Sequence, residues 1–425
     1  MVWLFLIMLM LFVIGTPIAW SMALAAAVYM TLGPGVPLQG MVQRMVGGID
    51  NFPLLAVPFF LLAGNLMNTG GITDRLVGFA RALVGHVRGG LAHAVIVTNM
   101  IMAGMSGSVV ADAAGSGAVL IPAMKKAGFE SRYAAAIVSA AATMGPIIPP
   151  SIPFVIYGSI TSTSVGRLFL AGAVPGVVMG IVLMIFAYVI ARRRDYPADP
   201  RISWGALGRA ALGAVLPLGL PVIILGGILG GIMTPTEAAA GGAAYAFCLG
   251  LFVYHDLKLA DMPHVLVETG IGTASVMIII SASQPMGWVL TFEQASAGLV
   301  SLLAGNLAIW QILLLINIAV LVLGCFMDGL AIMMMVIPIL LPLLQQLRID
   351  LVHFGVLFTI NIMIGTVTPP VGTGMYIVCS LAKVTMAEFA REAWPFIIAL
   401  IIALFLVTYL PVLSLWLPNL LMSAQ

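Results

Sequence analysis

Charge is what this sequence lacks first. Lys, Arg, Asp and Glu make up only 8% of its 425 residues, against about 25% in a soluble domain. That scarcity excludes a soluble globule, and no stretch resembles a soluble domain or a long linker. The net charge of +2 is spread over loops and points to no nucleic-acid partner. Cysteine is nearly absent: Cys248, Cys325 and Cys379 lie in apolar segments without metal-ligand spacing and read as small packing residues. His86, His93, His255, His264 and His353 are scattered at segment ends, which argues against a metal cluster. No G-x-x-x-x-G-K-[ST] loop is present, so ATP is not the direct energy source. The first residues lack the Lys/Arg of a signal-peptide leader, so Val2 onward is expected to be a retained membrane segment.

What is there is apolar. Hydrophobic residues make up 62% of the chain, which reads as an all-α polytopic membrane protein in contact with membrane lipid. The informative places are where the apolar runs are interrupted. Gly104 to Pro153 sets glycines, serines, an Asp and a Pro-Pro pair among apolar segments. Non-helical backbone at membrane depth survives only where protein buries it or where it lines a cavity. Gly324 to Gly374 repeats the pattern: Ile147-Ile148-Pro149-Pro150 recurs as Val367-Thr368-Pro369-Pro370, 220 positions on. Gly145 and Gly365, Phe169 and Phe389, and Pro175 and Pro395 match at the same offset. Asp112 precedes Pro122 by ten positions, and Asp328 precedes Pro338 by ten, so the two acids are expected to be equivalent. Paired, Gly/Pro-interrupted apolar segments in two halves point to the binding site of a transporter.

The expected organisation is two repeats, 1–200 and 201–425. In the first, Val2 to Leu32 turns at Gly15 to Pro17, and Asn51 to Met67 crosses next. Thr73 to Val87, capped by Thr73, reads as an interfacial amphipathic helix. The run from Leu91 to Met105 covers roughly 22 Å, short of the ~30 Å hydrocarbon core. It therefore predicts a re-entrant hairpin over about 91–124 with its tip at Ser106 to Ser108. A broken helix follows over 133–163. In the second repeat Thr234-Pro235-Thr236-Glu237 reads as a capping box. An outer interfacial helix is expected at Phe292 to Ala304, a hairpin over about 308–344, a broken helix over 352–381 and a last span from Trp394 to Leu417. Arg75, Arg81, Arg88, Lys125, Lys126, Arg132 and Arg192 to Arg194 mark one side as cytoplasmic. The repeats are then inverted, with ten spans, opposed hairpins, both termini outside and Arg44 in an outer loop.

A helix interrupted at the midplane exposes free carbonyls at one break and free N–H groups at the other. The carbonyls suit a small hard cation and the N–H groups an anionic substrate. Ser106, Ser108, Thr366, Thr368 and Thr373 add hydroxyl oxygens, and prolines free the carbonyls four residues back. One such cluster would read as close helix packing. Two broken helices and two hairpins at matching offsets predict two cation sites flanking one substrate pocket. Asp112 and Asp328 have two open roles: holding the hairpin tips, or binding the cation directly.

At these residues the chain resembles the large membrane subunit (DctM type) of tripartite ATP-independent periplasmic (TRAP) transporters. The resemblance runs through nearly the whole length. It is carried by PFFLLAGNLMNTGGITDRL (Pro58 to Leu76), GHVRGGLAH (Gly85 to His93), SGSVVADAA (Ser106 to Ala114), GPIIPPSIPFVIYG (Gly145 to Gly158), TPTEAAA (Thr234 to Ala240) and the region of Asp328 and TPPVG (Thr368 to Gly372). It implies an elevator-type symporter of the ion-transporter superfamily in the bacterial inner membrane, not an enzyme. It also implies Na⁺ as coupling ion, a small carboxylate substrate, a small TRAP membrane subunit and a periplasmic substrate-binding protein. The family pattern carries an Asn two positions after TPPVG; Gly374 stands there and offers no side-chain ligand.

Carried onto this sequence, one Na⁺ site comprises Ser106, Gly107, Gly145 and Pro149. The other comprises Gly324, Asp328, Thr366, Thr368 and Gly372, and Asp112 is structural or supports the cation. Ser108, Pro149, Ser151, Gly329, Pro370 and Thr373 are the substrate-binding candidates. Sugar acids, dicarboxylates, sialic acid and ectoine-like solutes all remain open as cargo. Two rivals stand beside this reading. One is a Na⁺/carboxylate symporter of the same superfamily that needs no binding protein. The other is an intramembrane aspartyl protease using Asp112 and Asp328.

Overall fold

In lipid, a chain this apolar can satisfy its backbone polar groups only within helices or a closed barrel. The computed structural model describes residues 2–32, 38–293, 307–370 and 372–422, and every regular element among them is helical. Seven of the described helices are long and apolar enough to cross a membrane. Several of the shorter ones, Gly90–Ser106, Ile152–Thr161, Ile309–Gly324, Leu351–Gly365 and Thr373–Ala382, belong to the interrupted segments.

The first apolar stretch splits at Gly15 (φ 91°) into α1 (Val2–Val13) and α2 (Ile18–Leu32), the two helices that matching halves require. An unanticipated helix, α3 (Leu38–Ile49), follows and carries Arg44, which a loop was expected to hold. α4 (Ala56–Thr69) is entered through a 3₁₀ turn over Phe52–Leu55. α5 (Ile72–Val84) is the amphipathic helix, but Thr73 does not cap it. Gly71, at φ 67°, stands at the cap, and the buried Thr73 hydroxyl donates to Asn68 Oδ1 at 3.0 Å. Ion pairs tie α5 and its exit to neighbouring loops: Arg75 to Asp256 at 2.8 Å, Arg81 to Asp199 at 2.6 Å, and Arg88 to Asp195.

The first hairpin is α6 (Gly90–Ser106) and α7 (Val109–Lys126). The broken helix is α8 (Ser131–Ala142) and α9 (Ile152–Thr161), and α10 (Val165–Arg193) closes the half. The second half runs α11 (Trp204–Leu229), α12 (Pro235–Cys248) and α13 (Met262–Phe292). Its hairpin is α14 (Ile309–Gly324) and α15 (Gly329–Gln346), and its broken helix is α16 (Leu351–Gly365) and α17 (Thr373–Ala382). The Thr234/Glu237 capping box starts α12, and a Thr385/Glu388 box starts α18 (Met386–Tyr409). The last span is not continuous to Leu417: Leu410 and Pro411 break it, and α19 (Val412–Leu421) is separate. The expected outer helix from Phe292 to Ala304 lies, beyond Glu293, outside the described residues.

Helix boundaries set the register between the halves. α7 and α15 lie 220 positions apart at both ends, and α8 and α16 start 220 apart. That register pairs Ser108 with Asp328 and Pro122 with Pro342, and puts Ile332 opposite Asp112. The expected equivalence of Asp112 and Asp328 is therefore corrected: Ser108 and Asp328 are the matching residues, each the N-cap of a hairpin's second arm. The Asp-to-Pro spacing misled because α15 carries two prolines, Pro338 and Pro342, and only the second matches Pro122 of α7.

Large aromatics of α8, α9, α10, α16 and α18, among them Tyr133, Phe154, Phe169, Phe354 and Phe396, are fully buried in one core. The perimeter is different. Only 22% of the apolar window of α11 is buried, against 56% for α15 and α18, so α11 leaves most of its apolar surface for lipid or a partner subunit.

Candidate functional site

Each hairpin tip rests on the break of its own half. In the first, α6 ends at Ser106 and the chain reverses at Gly107 (φ 61°), a left-handed position that favours glycine. A Cβ at Gly107 would stand 3.0 Å from the Pro150 carbonyl oxygen, so the tip lies directly on the break between α8 and α9. Ser106 Oγ donates to Asp112 Oδ1 at 2.5 Å. Asp112 is fully buried, and its Oδ2 has no partner among the described residues. That oxygen faces Gly145, where a Cβ would come within 2.3 Å of it. Asp112 thus stands between tip and break without capping the helix. Ser108 does the capping, accepting from the Ala111 N–H at 3.5 Å.

Within the first break, Ser151 is buried and accepts from the Phe154 N–H at 3.2 Å, capping α9, while its hydroxyl donates to the Pro146 carbonyl. The Pro149–Pro150 bond is cis, as is Pro369–Pro370 in the second break. In the second half the contact is backbone on backbone: a Cβ at Gly365 would fall 2.6 Å from Gly324 Cα. Asp328 caps α15 by accepting from the Leu330 N–H at 2.9 Å. Thr366 and Thr368 donate to the carbonyls of Met363 and Ile364, both at 2.7 Å, leaving their oxygen lone pairs free to accept. The Thr366 carbonyl accepts from the Gly374 N–H at 3.0 Å.

The halves meet around a central cavity of about 380 Å³. Four helices begin at its wall: α7 at Val109, α9 at Ile152, α15 at Gly329 and α17 at Thr373. α7, α9 and α15 carry side-chain caps. α17 does not, because Gly372 occupies its cap position. Of the substrate candidates, Ser108, Gly329 and Thr373 stand in the wall, with Asp328 and Thr366 beside them; Pro149, Ser151 and Pro370 do not. Asp112 is absent from the wall too, so it and Asp328 share no cavity face as a proteolytic dyad would require. Among the described residues the wall contains no Lys, Arg or His, so the positive ends of helices are the cationic feature they supply.

Sequence reasoning missed the far wall. α13 supplies Gly272, Ser275 and Val276, and α4 supplies Leu61. A lone serine in an otherwise apolar helix carries little signal. A second cavity, of about 700 Å³, shares Leu61, Ser108, Val110 and Gly272 with the central one and extends past Asn65 to Asp74 and Glu268. No group of three or more His, Cys, Asp or Glu able to hold a metal occurs among the described residues.

Comparison with known proteins agrees with this architecture. The chain is 40% identical over 409 residues to the sialic acid TRAP transporter large permease protein SiaM of Vibrio cholerae, covering 96% of this chain and 95% of that protein. It is 41% identical over 403 residues to the C4-dicarboxylate TRAP transporter large permease protein DctM of Pseudomonas aeruginosa, covering 94% of each. The crystal structure of the YdaH transporter of Alcanivorax borkumensis superposes with a TM-score of 0.64 over 95% of this chain and 98% of that one. At 15% identity that likeness speaks for the fold alone. The family model described as "Tripartite ATP-independent periplasmic transporter, DctM component" matches residues 5–413. A match over nearly the whole chain, with relatives this similar, makes the chain a member of the DctM component family of TRAP transporters, a multi-pass protein of the inner membrane.

Proposed function

We propose that this chain imports a small carboxylate-bearing solute by coupling its entry to Na⁺. It does so as the large membrane subunit of a tripartite system, beside a small membrane subunit and a periplasmic substrate-binding protein. The observation that carries this reading is the central cavity, where four helix N-termini meet without a basic side chain. Each such terminus carries roughly +0.5 of a charge. At the uncapped start of α17 the Gly374, Met375 and Tyr376 N–H groups are already bonded, and the Thr373 N–H is the donor left for an anionic group. The names of the relatives, sialic acid and C4-dicarboxylate transporters, support a carboxylate as cargo.

Na⁺ would sit at the two tip–break junctions. Ser106, Gly107, Gly145 and Pro149 would hold one ion, with Asp112 supplying charge behind them. Gly324, Asp328, Thr366, Thr368 and Gly372 would hold the other. Both junctions bring carbonyl and hydroxyl oxygens together beside the substrate cavity, which suits coupled binding. The proposed units are inverted repeats, 1–200 and 201–425. The 220-residue register between α7 and α15 supports them. The central cavity shares wall residues with the cavity on the Lys/Arg-rich side and none with the cavity on the opposite side. That pattern is the one expected of a carrier open to the cytoplasm.

The test is thermal unfolding of the purified chain in matched NaCl, KCl and choline chloride. A ligand that binds only the folded state stabilises it by RT ln(1 + [L]/Kd). A saturating rise specific to Na⁺ is expected, weakened by Thr368→Ala. Equal midpoints in all three salts would count against Na⁺ coupling through these sites.

A further inference from the structure

The cavity on the opposite side, the third, has a volume of about 630 Å³, and the reading above gives it no ligand. Its walls come from α3, α9, α13 and α15, and it lies on the opposite side from the Lys/Arg clusters. Two pairs of residues, each four apart on its helix, face one another there. Arg44 and Gly48 lie on one face of α3, and Gln284 and Trp288 on one face of α13. The Arg44 guanidinium stacks 4.6 Å from the centroid of the Trp288 ring. A Cβ at Gly48 would fall 2.1 Å from Gln284 Cγ, so α3 holds that side chain in place.

Stacking uses the face of the guanidinium and leaves its N–H donors, which lie in its plane, available. Arg44 makes no ion pair among the described residues. No Asp or Glu lines this cavity, while Asn51, Ser159, Ser283 and Gln345 add uncharged hydrogen-bonding groups. The cavity at the other end of α13 has the reverse character, with Asp74 and Glu268 and no basic residue. Between the two, α13 passes the central cavity at Ser275 and Ile279, and the basic cavity begins at Ile280. From Ser275 to Gln284 is about 14 Å along the helix.

We propose that Arg44, with Gln284 and Trp288, forms an outer anion subsite that holds the acidic group of the solute before it reaches the central cavity. This rests on the import reading above. The same chemistry would suit the phosphate of an anionic lipid headgroup, and the test separates the two sources.

The test uses the full chain in nanodiscs of phosphatidylcholine, at constant Na⁺, with chloride replaced stepwise by succinate or N-acetylneuraminate. The readout is the emission of Trp288, taken as the difference from Trp288→Phe, which reports on this cavity rather than the central one. The expected result is a saturable change with at least one of the two anions. Arg44→Gln raises the half-saturating concentration about tenfold or more, and Arg44→Lys, which keeps the charge but loses the fork, by about threefold. Either variant should keep the Na⁺-dependent thermal shift, so loss of the subsite and failure of Na⁺ coupling are read separately. Three outcomes overturn the proposal: no saturable change with either anion, an unchanged half-saturation in Arg44→Gln, or a change that appears only when phosphatidylglycerol is added and no free anion is present.

Discussion

The two tip–break junctions are built on one template and finished differently. The first is closed by side chains: Ser106 on Asp112, Ser108 on α7, Ser151 on α9, with Ser106, Asp112 and Ser151 buried. The second is closed by backbone, Gly324 against Gly365, and its caps are Asp328 and a bare glycine. Pro149 and Pro150 are buried, whereas Pro369 is half-buried and Pro370 exposed. On scaffolds with matching helix boundaries, the side chains make one a sealed joint and the other an accessible one. Quasi-symmetry of backbone therefore does not mean equal affinity.

The largest effect expected from breaking this contrast is at Asp112. Asp112→Ala leaves the buried Ser106 hydroxyl without its acceptor and opens a hole beside Gly145, a loss of about 2–4 kcal/mol. A thermal unfolding midpoint near that of the parent protein would show that the carboxylate does not hold the first junction. Next comes Gly365→Ala, whose Cβ meets Gly324 backbone that cannot turn aside. It should abolish uptake into proteoliposomes. Gly374→Ala makes its closest approach to the Val109 side chain, at 3.1 Å, and should retain most activity. Equal activity in the two variants would remove the backbone contact from the second junction's design. The smallest effect is at Ser151. Ser151→Ala removes one cap and should cost about 1–2 kcal/mol, with the order of substrate preference unchanged. A changed preference in competition uptake would put Ser151 in contact with substrate.

Much of this was legible in the sequence because it violates the rules for lipid-facing helices. Ser106-Gly107-Ser108 and the two Pro-Pro segments stand out against apolar runs, and both lie where helices stop. The split at Gly15 followed from matching the halves. What stayed hidden lacked contrast. Gly40, Gly47 and Gly48 lower helix propensity enough to make α3 read as a loop. Leu410 and Pro411 interrupt a run whose hydropathy does not change. Asp112 and Asp328 stand equally far from a proline, but the arms' register pairs Asp328 with Ser108, a match that only the helix boundaries reveal. Ser275 reaches the central cavity through tertiary packing alone.

The linker between the halves is fastened at its beginning and loose at its end. Tyr196 is buried against Phe129, with ring centroids 4.3 Å apart. Pro197 accepts from the Gly89 N–H at 3.1 Å, the Asp199 N–H donates to Gly85 at 2.9 Å, and Arg81 and Arg88 hold Asp199 and Asp195. Arg201 to Ser203, by contrast, are exposed and outside any helix. A cut there removes one peptide bond and none of these contacts. Two polypeptides divided after Arg201 are therefore expected to co-purify from one membrane when made together; recovery of either alone would show that the linker's continuity is needed.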